Sequence, residues 1–105
     1  SQLLEVKAFD ARMTSTKDKI VLDVRTSEEY SQGHLSNAVM IDYYQSDFKQ
    51  RLGKLDKAKP VFVYCAAGAR SEGAVQVLKE LGFKQIYDLK GGMNAWKKAK
   101  MPTVK

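Results

Sequence analysis

Val61-Phe62-Val63-Tyr64-Cys65-Ala66-Ala67-Gly68-Ala69-Arg70-Ser71 is the stretch that decides how this chain folds. Its first four residues form an unbroken apolar and β-branched run, the pattern of a strand buried on both faces. A loop of small residues follows. A helical pattern then opens near Arg70 or Ser71, with Ala74, Val77, Leu78 and Leu81 at i, i+3, i+4 and i+7 and Gly82 placed to end it in a left-handed turn. Strand, tight loop and helix succeed one another without a spacer, and Cys65 stands at the turn.

Outward from that junction the chain alternates short apolar runs with longer amphipathic ones. Residues 20–24, 38–41 and 85–89 read as strands beside 61–64, and 3–6 as a weaker first strand. Such alternation predicts an α/β domain on a mostly parallel sheet. Thr26 with Glu29 three positions later is a capping box, so a short helix through Tyr30 is predicted, stopped at Gly33. Ser46 is positioned to cap a helix carrying Phe48 and Leu52, and Pro102 marks the end of a last helix near Trp96. No internal repeat or linker interrupts the pattern.

Composition narrows the function. The 105 residues suit one domain spanning 1–105, and the 44% hydrophobic and 29% charged fractions are those of an ordinary globular protein. No apolar run approaches the roughly 20 residues of a membrane span. The formal charge of +6 is gathered mainly in 49–59 and 97–105, without interleaved aromatic residues, so nucleic-acid binding is not expected. A single cysteine excludes an internal disulfide, and one histidine beside it leaves no ligand set for structural zinc. Neither metal nor cofactor is expected; a soluble monomer is, cytoplasmic or exported after removal of a leader.

The junction also suggests chemistry. In open α/β sheets ligands bind beyond the carboxyl ends of the strands, where a following helix aims unpaired N–H groups and the positive end of its dipole. A thiol set there beside a cation is favoured as thiolate; such thiols titrate at roughly 3.5–7.5 instead of about 8.5. Ala66, Ala67, Gly68 and Ala69 carry almost no side chain, so their amides can close around an anion, and Arg70 adds a fixed charge. A lone cysteine is more often a small buried hydrophobe. The strand-to-helix setting favours a nucleophile instead.

At these residues the sequence resembles the rhodanese family. Leu22-Asp23-Val24-Arg25 with Glu28, Glu29 and Tyr30, then Gly33-His34-Leu35, resembles the family's first signature; Tyr64-Cys65 to Arg70-Ser71 resembles its active-site loop. Gly82-Phe83 and Leu89-Lys90-Gly91-Gly92-Met93-Asn94-Ala95-Trp96 resemble its closing segment. The resemblance implies a five-stranded parallel sheet with helices on both faces, and a cysteine cycling between thiol and persulfide. The implied activity is that of a thiosulfate sulfurtransferase or sulfur carrier. Cys65 would be catalytic; Ala66, Ala67, Gly68, Ala69 and Arg70 would bind the substrate. Asp23, Arg25 and Ser71 would support the loop. The implied partners are small sulfur-containing anions and a thiol or persulfide acceptor. Related cysteine phosphatases use Cys-x5-Arg, one residue longer than the Cys-x4-Arg here, which speaks against phosphate. The alanines in place of the hydrogen-bonding side chains common in the family imply low turnover with thiosulfate. A non-catalytic binding or redox-sensing module is the alternative.

Other residues have structural readings. His34 lies in a turn and is expected to hydrogen-bond locally; Trp96 and Tyr87 are expected in the core. Asn37, in Ser36-Asn37 where the family usually has Pro-Gly, is expected to take a left-handed turn. Gly91-Gly92 is expected at the carboxyl edge of the sheet, beside the site.

Overall fold

The computed structural model describes residues 1–105. Five strands, β1 (Gln2–Leu4), β2 (Ile20–Asp23), β3 (Val39–Met40), β4 (Val61–Tyr64) and β5 (Ile86–Leu89), form one sheet in the order β1-β5-β4-β2-β3. Every pairing is parallel, so all five carboxyl ends lie along one edge. The intervening helices are α1 (Val6–Ser15), α2 (Ser27–Ser31), α3 (Phe48–Leu52), α4 (Ala69–Glu80) and α5 (Gly92–Lys98).

The continuous apolar runs of β2 and β4 are buried at every position, because helices cover both faces. One face packs Leu22, Val61, Val63 and Cys65 under Leu52 of α3 and Ala74 and Leu78 of α4. The other packs Val21, Phe62, Tyr64 and Leu89 against Phe9 of α1 and Met93 and Trp96 of α5. Phe9 meets Phe62 and Trp96 edge-on at centroid distances of 5.5 and 6.4 Å, a favoured aromatic geometry. Trp96 and Tyr87 therefore lie in the core, as the sequence suggests. No helix is long and apolar enough to cross a membrane.

Local signals hold at several positions. Thr26 and Glu29 form both bonds of the capping box at the start of α2. Gly82 closes α4 at φ 95°, and Asn37 is left-handed at φ 65°. Three expectations need correction. Val6 belongs to α1, not to the first strand, which is confined to Gln2–Leu4. Residues 6–15, predicted in part as strand and otherwise unassigned, form a helix with only Phe9 buried and no side-chain cap. At α3 the capping position falls to Asp47, without a side-chain bond, so Ser46 does not cap. The basic tail also takes part in the fold: Val104 pairs with His34 through reciprocal backbone bonds of 2.9 Å.

Candidate active site

β4 ends at Tyr64, and the chain turns through Cys65 to Gly68 before α4 begins. Gly68 makes the turn possible. At φ 122° and ψ −19° it holds a conformation that side chains resist, and it directs its N–H onto Cys65 Sγ at 3.0 Å. The Ser71 hydroxyl stands 3.5 Å from the same sulfur and donates to Gly68 O at 3.1 Å, tying the first turn of α4 to the loop. The amides of Ala66, Ala67, Ala69 and Arg70 have no acceptor within the chain. They are the unpaired donors expected at the start of a helix, extended backwards into the loop. Cys65 itself is only 1% exposed, so the sulfur lies beneath the loop and not on its rim.

The underside of the loop is fixed by the start of α5. Met93 and Asn94 donate their N–H groups to Cys65 O at 2.7 Å and Ala66 O at 2.9 Å. Gly91 and Gly92, at φ 78° and 57°, bring the helix close enough for this. The glycine pair thus lies beside the loop at the carboxyl edge, as the sequence suggests.

Arg70 is placed differently from a free anion receptor. Its Nη1 and Nη2 form a two-pronged pair with Glu29 of α2, at 2.7 and 3.0 Å, and its guanidinium carbon lies 5.7 Å from the centre of the Tyr44 ring. The hydrogen bonds from Arg70, opposed by burial and helped by the Thr26 N–H, lower the Glu29 pKa from 4.5 to about 2. The same pairing raises Arg70, and the nearby Cys65 sulfur adds to that effect. Glu29 is therefore both the cap of α2 and the tether of the active-site helix, a long-range role invisible in the local pattern.

A depressed carboxylate stabilises the fold above its unfolded pKa and loses that contribution as the pH falls through its folded value. For Glu29 the window runs from 4.5 down to about 2. The tether is therefore expected to persist at pH 5 and to fail near pH 2. Acid titration of wild type against Glu29→Gln, followed by near-ultraviolet circular dichroism, checks this; curves of equal slope in that window would contradict it.

Asp23 and Arg25 form a buried brace at the end of β2. Arg25 Nη2 meets Asp23 Oδ2 at 2.8 Å and Gly33 O at 2.7 Å, and the Arg25 N–H reaches Asp23 Oδ1 at 2.9 Å. Tyr64, the residue before Cys65, donates its hydroxyl to Asp23 Oδ2 at 2.6 Å and accepts from Leu35 N at 3.1 Å. Burial first, then the Asp23 carboxylate, pushes the Tyr64 phenol well above its ordinary pKa. The brace thus holds the end of β4, on the opposite side of the strand from the sulfur. His34 stacks on Tyr30 at 3.6 Å and places Nδ1 2.9 Å from Tyr30 O, away from Cys65 chemistry.

A lone cysteine sulfur under unpaired amides, at the carboxyl edge of a five-stranded parallel sheet, defines an α/β protein built around a cysteine-centred loop. The profile of the Rhodanese-like domain matches residues 5–99, and the chain belongs to that family. It is 35% identical over 96 residues to the thiosulfate sulfurtransferase GlpE of Coxiella burnetii, covering 91% of this chain and 86% of that one. It is 41% identical to part of a tRNA uridine(34) hydroxylase of Cytophaga hutchinsonii, covering 86% of this chain but only 30% of that protein. Among solved structures, a rhodanese-related protein of Thermoplasma volcanium superposes with a TM-score of 0.86 at 29% identity, covering 99% and 98% of the two chains.

Proposed function

We propose that the chain is a sulfurtransferase or sulfur carrier that moves sulfane sulfur through a persulfide on Cys65. The observation that carries this reading is the Gly68 N–H directed onto Cys65 Sγ at 3.0 Å beneath a loop whose other amides are unpaired. In the first step the thiolate attacks the outer sulfur of thiosulfate or of a persulfide donor. A new S–S bond forms on Cys65, the donor's S–S bond breaks, and sulfite or a thiolate leaves with the electron pair. In the second step cyanide or an acceptor thiol attacks the outer sulfur and the Cys65 thiolate departs. The persulfide is an anion through both steps, and preset N–H dipoles stabilise it without reorganising.

Arg70 contributes through its charge and by holding α4 to α2, since two of its nitrogens are already taken by Glu29. Ala66, Ala67 and Ala69 offer only main-chain donors, which fits slow turnover with thiosulfate and a persulfide as the better donor. Cys65 at 1% exposure is the feature that favours the alternative of a non-catalytic or redox-sensing module.

Intact-mass measurement after treatment with thiosulfate or polysulfide decides between them. The expected result is a gain of one sulfur atom, removed by cyanide and absent from Cys65→Ala. Arg70→Ala is expected to load more slowly, by on the order of tenfold, which corresponds to about 1.4 kcal/mol. A wild-type protein that alkylates at Cys65 yet never gains sulfur would refute the proposal. A binding module would instead keep its partner after Cys65→Ser.

A further inference from the structure

The α4 face of the sheet is left open beyond α4. Leu3 of β1, in register with Asp88 of β5, is 62% exposed. Beside it lies a cavity of about 500 Å³, bounded by residues 67–69 of the Cys65 loop, Glu72 and Val75 of α4, and Asp88 and Lys90. That size is ordinary for a small-molecule site. Asp88 is only 7% exposed, and its Oδ1 is buried without a hydrogen-bond partner. Buried polar atoms are nearly always paired, so an acceptor left free in the wall of a cavity points to a donor supplied from outside the chain.

The charges on the wall select the ligand. Glu72 and Asp88 are acidic, Lys90 is the one basic side chain, and none of the three forms an ion pair. A charged donor answers a buried carboxylate best, because charge-assisted hydrogen bonds are about twice as strong as neutral ones. An ammonium group meets that need, whereas an anion would face two like charges. Leu3 and Val75 offer apolar surface to a short carbon stem. The cavity is also close to the sulfur. Asp88 is in register with Val63, and Cys65 follows Val63 by two positions on the same face. One strand spacing and two residues of rise put the Cα atoms of Asp88 and Cys65 about 8 Å apart, which a small molecule with a functional group at each end can span.

We infer that this cavity holds the ammonium group of a small aminothiol, the acceptor of the outer sulfur, with Asp88 as its anchor and Glu72 as a second carboxylate. The inference rests on the sulfur-carrier reading of Cys65 and names the class of thiol that it serves. The ammonium donates to Asp88, the stem lies along Val75 and Leu3, and the thiol end comes to the loop at residues 67–69. There the acceptor sulfur attacks the outer sulfur of the Cys65 persulfide. An S–S bond forms between them, the bond from the outer sulfur to Cys65 Sγ breaks, and its electron pair leaves on Cys65 as thiolate. The acceptor's thiol proton ends on the departing persulfide, so charge balances and there is no net oxidation. Asp88 meets only the ammonium end and determines which acceptor is used.

The test compares two acceptors with the same carbon stem, cysteamine and 2-mercaptoethanol, and follows discharge of the Cys65 persulfide by intact mass. Asp88→Asn keeps the shape of the side chain and removes its charge. It should slow discharge by cysteamine at least about threefold and leave discharge by 2-mercaptoethanol unchanged. Glu72→Gln should act in the same direction, more weakly. An equal change with both acceptors would mean a structural role, and no change with either would mean that solvent satisfies Asp88; each overturns the inference. A second arm needs no sulfur transfer. 2-(Methylthio)ethylamine keeps the ammonium and has no thiol, and it should shift the amide NMR signals of residues 67–69 and Lys90 in the wild type, and less so in Asp88→Asn. Absence of those shifts overturns the site. Binding of this amine by a wild type that never gains sulfur would sink the carrier reading alone and leave the site standing.

Discussion

Replacing Gly92 by alanine is expected to reduce sulfur loading of Cys65 by tenfold or more and to destabilise the protein. A Cβ at this position would lie 2.4 Å from Cys65 O and 2.7 Å from the carbonyl carbon and oxygen of Ala66. These are main-chain atoms and cannot swing aside as a side-chain tip could. The carbonyls struck are the ones that accept from Met93 and Asn94, so relief of the clash lifts α5 from the loop and breaks those bonds. Overpacking of this kind costs about 1–3 kcal/mol, and each lost bond about 1 kcal/mol more. The effect on transfer arises because the donor amides are fixed only while the underside of the loop is held; a displacement of about 1 Å can cost about a hundredfold. Phe9→Leu, in the core on the face of the sheet away from Cys65, should lose stability without losing sulfur uptake. Urea unfolding with intact-mass loading of both variants is the check, and a Gly92→Ala protein that loads like wild type would show that the contact is not needed.

Asp23→Ala is expected to produce the largest loss of stability. Its carboxylate accepts from Arg25 through both side chain and backbone and from the Tyr64 hydroxyl, all out of contact with water. Without it the Arg25 guanidinium stays 4% exposed with Gly33 O as its remaining partner, and Tyr64 loses its acceptor. Breaking a buried pair by removing one member costs about 3–5 kcal/mol, because the surviving charge is left uncompensated. Against a total of about 5–15 kcal/mol for a typical domain, that is a large share. Thermal unfolding should move down by more than about 10 °C. Replacing Asp23, Arg25 and Tyr64 together with apolar residues should cost less than Asp23→Ala alone. A melting temperature within a few degrees of wild type for Asp23→Ala would show that the brace is not structural.

The strand, loop and helix around Cys65 were legible because each level agrees there: an apolar run, small residues at the turn, then a helical period. The same holds for α2, whose capping box is a local signal. Helix α1 was missed because it buries little beyond Phe9 and has no capping side chain, so neither its periodicity nor its start stands out. Of the site, the loop residues follow from sequence, but the pairing of Arg70 with Glu29 joins positions far apart in the chain and emerges only once α2 and α4 are packed.

If Cys65 carries sulfur as proposed, the depth of the thiol would give the protein a built-in sense of occupancy. At 1% exposure the bare thiol is screened from bulky disulfides. Loading lengthens the side chain by one S–S bond, about 2 Å. The added atom, not the cysteine's own sulfur, would then be the one within reach of an approaching acceptor. On that reading the empty protein would offer bulky disulfides little to attack, while the loaded protein would present the atom to be released.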